Sequence, residues 1–124
     1  MVIFDTNILI EIYRGNESVR DTIYSHNFSK IYISDITAAE FLIGARNKQE
    51  FSRIKKQLRF YTNIPINDEI SDLFLELCNK FTLSHHPSIP DLLIASTAVY
   101  HKLPLYTLNK KDFVYIPDLE LITS

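Results

Sequence analysis

Val2-Ile3-Phe4-Asp5-Thr6-Asn7 is the stretch that decides how this chain is read. Three large apolar residues in a row mark a short strand buried on both faces. An acid follows at once, then two small polar residues, then the helical run Ile8-Leu9-Ile10-Glu11-Ile12-Tyr13. That order places Asp5 at the carboxyl end of a first, central strand, the edge at which open α/β sheets hold their ligands. The structural alternative makes Asp5 or Thr6 the N-cap of the first helix. This stretch alone does not separate the two.

Working outward, the pattern predicts helices over 6–14 and 17–25, with Gly15 as the stop between them. A strand is expected over 31–33. Ser34 and Asp35 offer caps for a helix over 36–45, and a further helix spans 48–60. A short strand over 63–66 is weakened by Pro65, which lacks a donor. Asn67 caps a helix over 68–81, whose first turn carries Asp68 and Glu69 at its positive end. Residues 82–89 read as loop, and Pro90 opens a helix to residue 101. A strand over 105–107, a turn over 109–112 and a last strand over 119–122 complete the chain. Strands alternate with helices, so the expected class is α/β, with a parallel sheet wrapped on both faces.

The 124 residues predict one domain over 1–124 with a sizeable core. Two glycines in the whole chain leave no Gly-rich phosphate loop. That argues against dinucleotide and P-loop nucleotide binding. No apolar run approaches the ~20 residues that span a bilayer, and nothing at the start reads as a secretory leader. The single cysteine, Cys78, lies in an apolar helical run and fits a reducing cytosol. The net charge of −2 announces no nucleic-acid binder. Its distribution is uneven: six basic residues between Arg46 and Arg59 face one acid, Glu50. A solvated helix face is the stronger reading of that run, and a contact surface for an anionic partner the weaker.

Two further acids stand on apolar helix faces. At 100° per residue Glu40 lies beside Ile36, Ala39 and Ile43, and is expected to be buried. Asp91 shares a face with Ile94, Ala95 and Ala98, where two alanines let the helix pack closely on the sheet. Taken singly, Asp91 reads as a first-turn acid that complements the helix dipole. Together with Asp5 the set points to a shared anionic pocket. Asn109 and Asp112, in the turn after a strand, are candidates for a fourth group, with an Asx turn as the alternative. With no cysteine cluster and no paired histidines at ligand spacing, an all-oxygen site suits Mg²⁺ or Mn²⁺. Such an ion activates water and neutralises charge on a phosphodiester. The spacing leaves the substrate open. One rival is a phosphohydrolase or phosphotransferase with Asp5 as covalent nucleophile. The haloacid dehalogenase start would want a second Asp where Asn7 stands, and a phosphoaspartate receiver would want paired acids at the first strand end. A non-catalytic partner-binding module is a third reading.

The chain resembles a PIN-domain ribonuclease over nearly its whole length, and is most similar to the VapC-type toxins of toxin–antitoxin pairs. The resemblance rests on Ile3-Phe4-Asp5-Thr6-Asn7, Ala39-Glu40, Asp91-Leu92-Leu93-Ile94-Ala95 with Ala98, and Thr107-Leu108-Asn109-Lys110-Lys111-Asp112-Phe113. It implies an α/β/α sandwich with a central parallel sheet. It also implies a cytoplasmic, Mg²⁺- or Mn²⁺-dependent endoribonuclease, usually a homodimer, held inactive by a small VapB-like cognate antitoxin. The family's catalytic and metal-binding acids fall on Asp5, Glu40 and Asp91. Many members carry an acid where Asn109 stands, so the fourth role passes to Asp112. Asn7, Thr107 and Asn109 would support the site, and Ser96 stands where Ala is more frequent. His85 and His86, in the loop before Asp91, are candidates to touch RNA, with loop histidines of no role as the stronger alternative, and Lys110 and Lys111 beside the turn are candidates to meet phosphates. Phe41, Phe51 and Phe60 are expected on an exposed surface for the antitoxin, one of whose arginines would pair with the acids.

Overall fold

Ile3 points to one side of its strand while Val2 and Phe4 point to the other, and all three are completely buried. In the computed structural model, which describes residues 1–122, β1 (Val2–Phe4) is an inner strand. β2 (Ile31–Ser34) and β4 (Leu105–Tyr106) flank it, and β3 (Thr62–Ile64) lies outside β2, giving the order β3-β2-β1-β4. All pairings are parallel, with Val2 opposite Ile31, Ile3 opposite Leu105 and Phe4 opposite Tyr106.

The helices between the strands are α1 (Thr6–Tyr13), α2 (Glu17–His26), α3 (Asp35–Ile43), α4 (Lys48–Leu58), α5 (Asp68–His85) and α6 (Ile89–His101). Ile3, Ile64 and Leu105 pack with Ile70, Leu77 and Phe81 of α5 and with Leu92, Ile94, Ala95 and Ala98 of α6. On the other face Val2, Phe4, Ile33 and Tyr106 pack with Ile8 and Leu9 of α1, Val19 of α2, Phe41 of α3 and Ile54 of α4. Side-chain alternation along a short strand thus divides one sheet into two cores, and the α/β/α sandwich follows. Among the described residues, no helix is long and apolar enough to cross a membrane.

Local chemistry sets the ends. Asn16, Ser34, Asn47, Asn67 and Ser88 each cap the helix that follows, their side chains accepting from the backbone N–H three residues on. Gly15 follows α1 at φ 78°, a conformation that costs glycine little. α5 runs to His85, not 81, because residues 82–85 contain no breaker and Thr82 bonds back to the Cys78 carbonyl at 2.5 Å. Pro87 opposes any further helical turn. Ile89 is the first residue of α6, so Pro90 takes the second position, where its missing N–H also has no intrahelical partner to lose. β3 ends at Ile64, one residue before Pro65, not at 66. The turn after β4 is a 3₁₀ helix, Lys110–Asp112. The expected last strand is a single parallel bridge between Leu121 and Leu105.

Phe41 is buried at 4% exposure, contrary to its expected place on an open surface, whereas Phe51 and Phe60 are exposed. Both sides of α3 carry apolar residues, so periodicity could not choose which one faces inward. Phe4 contacts the rings of Phe28, Tyr61 and Tyr106, with centroids at 6.1, 6.1 and 5.6 Å. Phe4→Ala should therefore cost about 3–5 kcal/mol, and Ile3→Ala about 2–5 kcal/mol on the opposite face. Urea unfolding should show both losses with little change in the slope against denaturant.

Candidate active site

The carboxyl edge of the sheet collects the polar residues that the strands deliver. Asp5 follows β1 and also caps α1, so both roles open from sequence fall on one side chain. Its Oδ1 accepts from the Thr6 N–H at 2.7 Å and its Oδ2 from the Thr107 hydroxyl at 2.8 Å. Asp5 is only 5% exposed. Burial pushes its carboxyl up to about 6, with the charges of Asp91 and Glu40 adding to the rise, while the Thr107 and Thr6 hydrogen bonds oppose it.

Thr107 is held in turn. Its hydroxyl oxygen accepts from the Asn109 N–H at 3.0 Å and lies 3.5 Å from the Asn7 amide nitrogen. The Leu108 N–H donates to Asn7 Oδ1 at 3.3 Å. Asn7, Thr107 and Asn109 thereby tie the turn after β4 to the loop after β1. Asn109 is exposed and contributes through its backbone.

Glu40 is exposed, not buried as its apolar neighbours suggested. Thr37 and Phe41 take the inward side of α3, and Ile43 stands 83% exposed beside Glu40. The carboxylate is nevertheless fixed, because Oε1 accepts from the Thr6 hydroxyl at 2.7 Å. Thr6 Oγ1 lies 3.3 Å from Thr37 Oγ1, which lies 3.3 Å from Ser34 Oγ. With the single Thr6 proton given to Glu40, the Thr37 hydroxyl is free to donate to Thr6. This chain of hydroxyls runs from the fully buried Ser34 and Thr37 out to Glu40. It was missed in the sequence, where Ser34 read only as a cap. A threonine on the inward face of an otherwise apolar helix was the available signal.

Asp91 stands in the first turn of α6, and its N–H donates to Ser88 Oγ at 3.2 Å. Burial raises its carboxyl above the ordinary range, Ser88 opposes this, and the charges of Asp112 and Glu40 add to it. Burial also raises the Tyr115 phenol, with Asp91 and Asp112 contributing. The fold therefore brings Asp5, Glu40, Asp91 and Asp112 within electrostatic reach as a connected set. Among the described residues none of the four forms an ion pair; Arg14 is taken by Glu11 and Arg46 by Glu50, each at 3.1 Å. No three His, Cys, Asp or Glu side chains among the described residues stand close enough to enclose an ion directly. Asp5, Glu40, Asp91 and Asp112 offer hard carboxylate oxygens, the donor type that a divalent cation of the Mg²⁺ or Ca²⁺ kind takes.

Without divalent ions, folded Asp5 keeps a proton at pH values where the unfolded chain has released it. Stability from this group is therefore full below 3.8 and is lost as pH rises through about 6. The difference corresponds to about 3 kcal/mol. Chemical denaturation in chelator should show Asp5→Asn gaining stability over the parent chain between pH 4 and 7, by up to about that amount.

The comparisons with known proteins agree with this architecture. The PIN domain family model matches residues 2–119. Ribonuclease VapC1 of Rickettsia felis is 37% identical, with 98% of this chain and 95% of that protein covered. A toxin–antitoxin complex from Klebsiella pneumoniae contains a chain that superposes with a TM-score of 0.82 at 30% identity, over 99% of this chain and 97% of the other. VapBC2 from Rickettsia felis, bound to a DNA fragment from its promoter, superposes with a TM-score of 0.81 at 25% identity, over 98% of each chain. A family model spanning both cores and all four acids, with relatives covered almost end to end, makes this chain a member of the PIN domain family.

Proposed function

We propose that this chain is a divalent-cation-dependent endoribonuclease, the toxin of a toxin–antitoxin pair, working in the cytoplasm, with the matched residues 2–119 as its one nuclease domain. The observation that carries the reading is the set of four acids at the carboxyl edge, electrostatically coupled and paired with no cation among the described residues. Relatives named ribonuclease VapC and structures of toxin–antitoxin complexes support the RNA substrate and the VapB-like antitoxin, and a homodimer belongs to the same proposal. Exposed Ile43, Leu83 and Phe60 are available to such partners.

Asp5, Glu40, Asp91 and Asp112 would hold Mg²⁺ or Mn²⁺, directly or through its waters. When bound, the ion supplies Lewis-acid polarisation of the scissile phosphate and a more acidic water. The chain's own contribution is position. Thr6 N–H and Thr107 aim Asp5, the Thr6 hydroxyl aims Glu40, and the α6 cap at Ser88 sets Asp91 at the rim. One of these carboxylates accepts the proton of the attacking water. Asn7 and the Asn109 backbone keep Thr107, and hence Asp5, in place. The rival role for Asp5 as covalent nucleophile is disfavoured, because Asn7 stands where such a nucleophile would want a second Asp.

Cleavage of single-stranded RNA should stop in excess chelator and return on adding Mg²⁺ or Mn²⁺. Equal activity in chelator would refute the metal mechanism. Asp91→Asn should abolish cleavage while leaving the metal-free fold as stable or more stable, since it removes a repelled charge. It should also shrink the rise in Tm on adding metal. A variant that is less stable, still active and unchanged in metal response would return Asp91 to a helix-dipole role.

A further inference from the structure

Beside the acids lies a second cleft of ≈ 290 Å³, between the end of α5, the start of α6 and the 3₁₀ turn. His85, His86, Lys111 and Tyr115 line it together with Asp91 and Asp112. The metal-binding acids do not account for the first four. His85 and Tyr115 stack with centroids 3.9 Å apart and planes 14° from parallel. Phe81 meets both rings edge-on, at 5.5 and 4.9 Å, and Ser84 Oγ lies 2.7 Å from His85 Nδ1. The platform is thus braced from below while His85 itself stays exposed. His86 ends α5 in the left-handed region at φ 46°, a position that glycine fills at lower cost. His86 is among the residues that line the cleft, and it holds that place at the expense of the better cap.

From this arrangement we infer that the cleft is a nucleotide subsite, taking the residue of a single-stranded RNA next to the scissile phosphate, with its base against the His85–Tyr115 pair and its phosphate at Lys111 and His86. The inference rests on the ribonuclease reading above and adds where the strand lies. Flat aromatic rings accept any base by stacking, and an exposed lysine meets the backbone. The carboxyl set borders the same cleft through Asp91 and Asp112, so a nucleotide seated there delivers its neighbouring phosphate to the acids. A cleft of this volume is at the lower end of ligand-pocket sizes, about 300 Å³, which suits one nucleotide rather than several.

The test is fluorescence anisotropy of a labelled, cleavage-resistant 2′-O-methyl RNA hexamer titrated with the full chain, at several salt concentrations, with a thermal melt of each variant. His85→Ala should weaken binding about 5- to 150-fold, the range for loss of one base–aromatic stack. Lys111→Ala should weaken it several-fold and lower the salt slope by about 0.7, the value for one phosphate contact on a single strand. His86→Gly should raise Tm yet weaken binding, whereas a mere helix end would gain stability with affinity unchanged. Variants that melt cooperatively and bind as tightly as the parent chain, with the same salt slope, would overturn the subsite and leave the ribonuclease reading intact. Should His85→Ala fail to fold, the exposed Lys111 decides the matter alone. A parent chain that neither binds the hexamer nor cleaves any RNA would overturn both.

Discussion

The hydrogen bond from Thr107 to Asp5 joins residues 102 positions apart and ties the end of β4 to the end of β1 at the carboxyl edge of the sheet. It can form only because β4 lies beside β1 in parallel, with Phe4 opposite Tyr106, so that both strands release their next residue at the same edge. Asp5 is then nearly out of water, and its charge is tolerated through two hydrogen bonds rather than through a cation. Asn7 and Asn109 hold the donor, and through it the turn that bears Asp112.

Holding carboxylates this way has a cost that falls on stability. Burial lifts Asp5 and Asp91 above their ordinary range, and each further acid adds to the rise. Ion pairs would relieve the strain, yet Arg14 and Arg46 are engaged with Glu11 and Glu50. Anchoring comes instead from neutral donors: the Thr107 hydroxyl, the Thr6 N–H and the line of hydroxyls from Ser34 through Thr37 and Thr6 to Glu40. Neutral donors fix the direction of a carboxylate without cancelling its charge. That leaves the charge available to a cation, which is what the proposed activity requires.

The two cores divide the remaining work. The face with α5 and α6 sets Asp91 at the rim through close packing of Ala95 and Ala98. It also carries Phe81, on which His85 and Tyr115 are braced. The face with α1, α2 and α4 holds Phe4 among aromatic rings and so locks the register of β1. A loss on either face would move a side chain at the carboxyl edge, because β1 is shared between them.

Much was legible in the order of residues alone. Three apolar residues followed by an acid and a helical run gave the buried β1 and the place of Asp5, since a short hydrophobic strand ending in a small polar residue has few other outcomes. Alternation of strands and helices gave the parallel sheet, and Asn67, Ser34 and Gly15 marked helix ends through local hydrogen bonding and backbone freedom. What sequence could not decide was which apolar side of α3 faces inward, and so it misplaced Glu40 and Phe41. Nor could it extend α5 to His85, where no breaker competes with tertiary packing, or reveal the hydroxyl line behind Glu40 and the stacking of His85 on Tyr115. The hydroxyl line and the stack depend on partners 31, 34 and 30 positions distant, met only after the sheet is assembled, and the inward threonine of α3 is the one local trace of them.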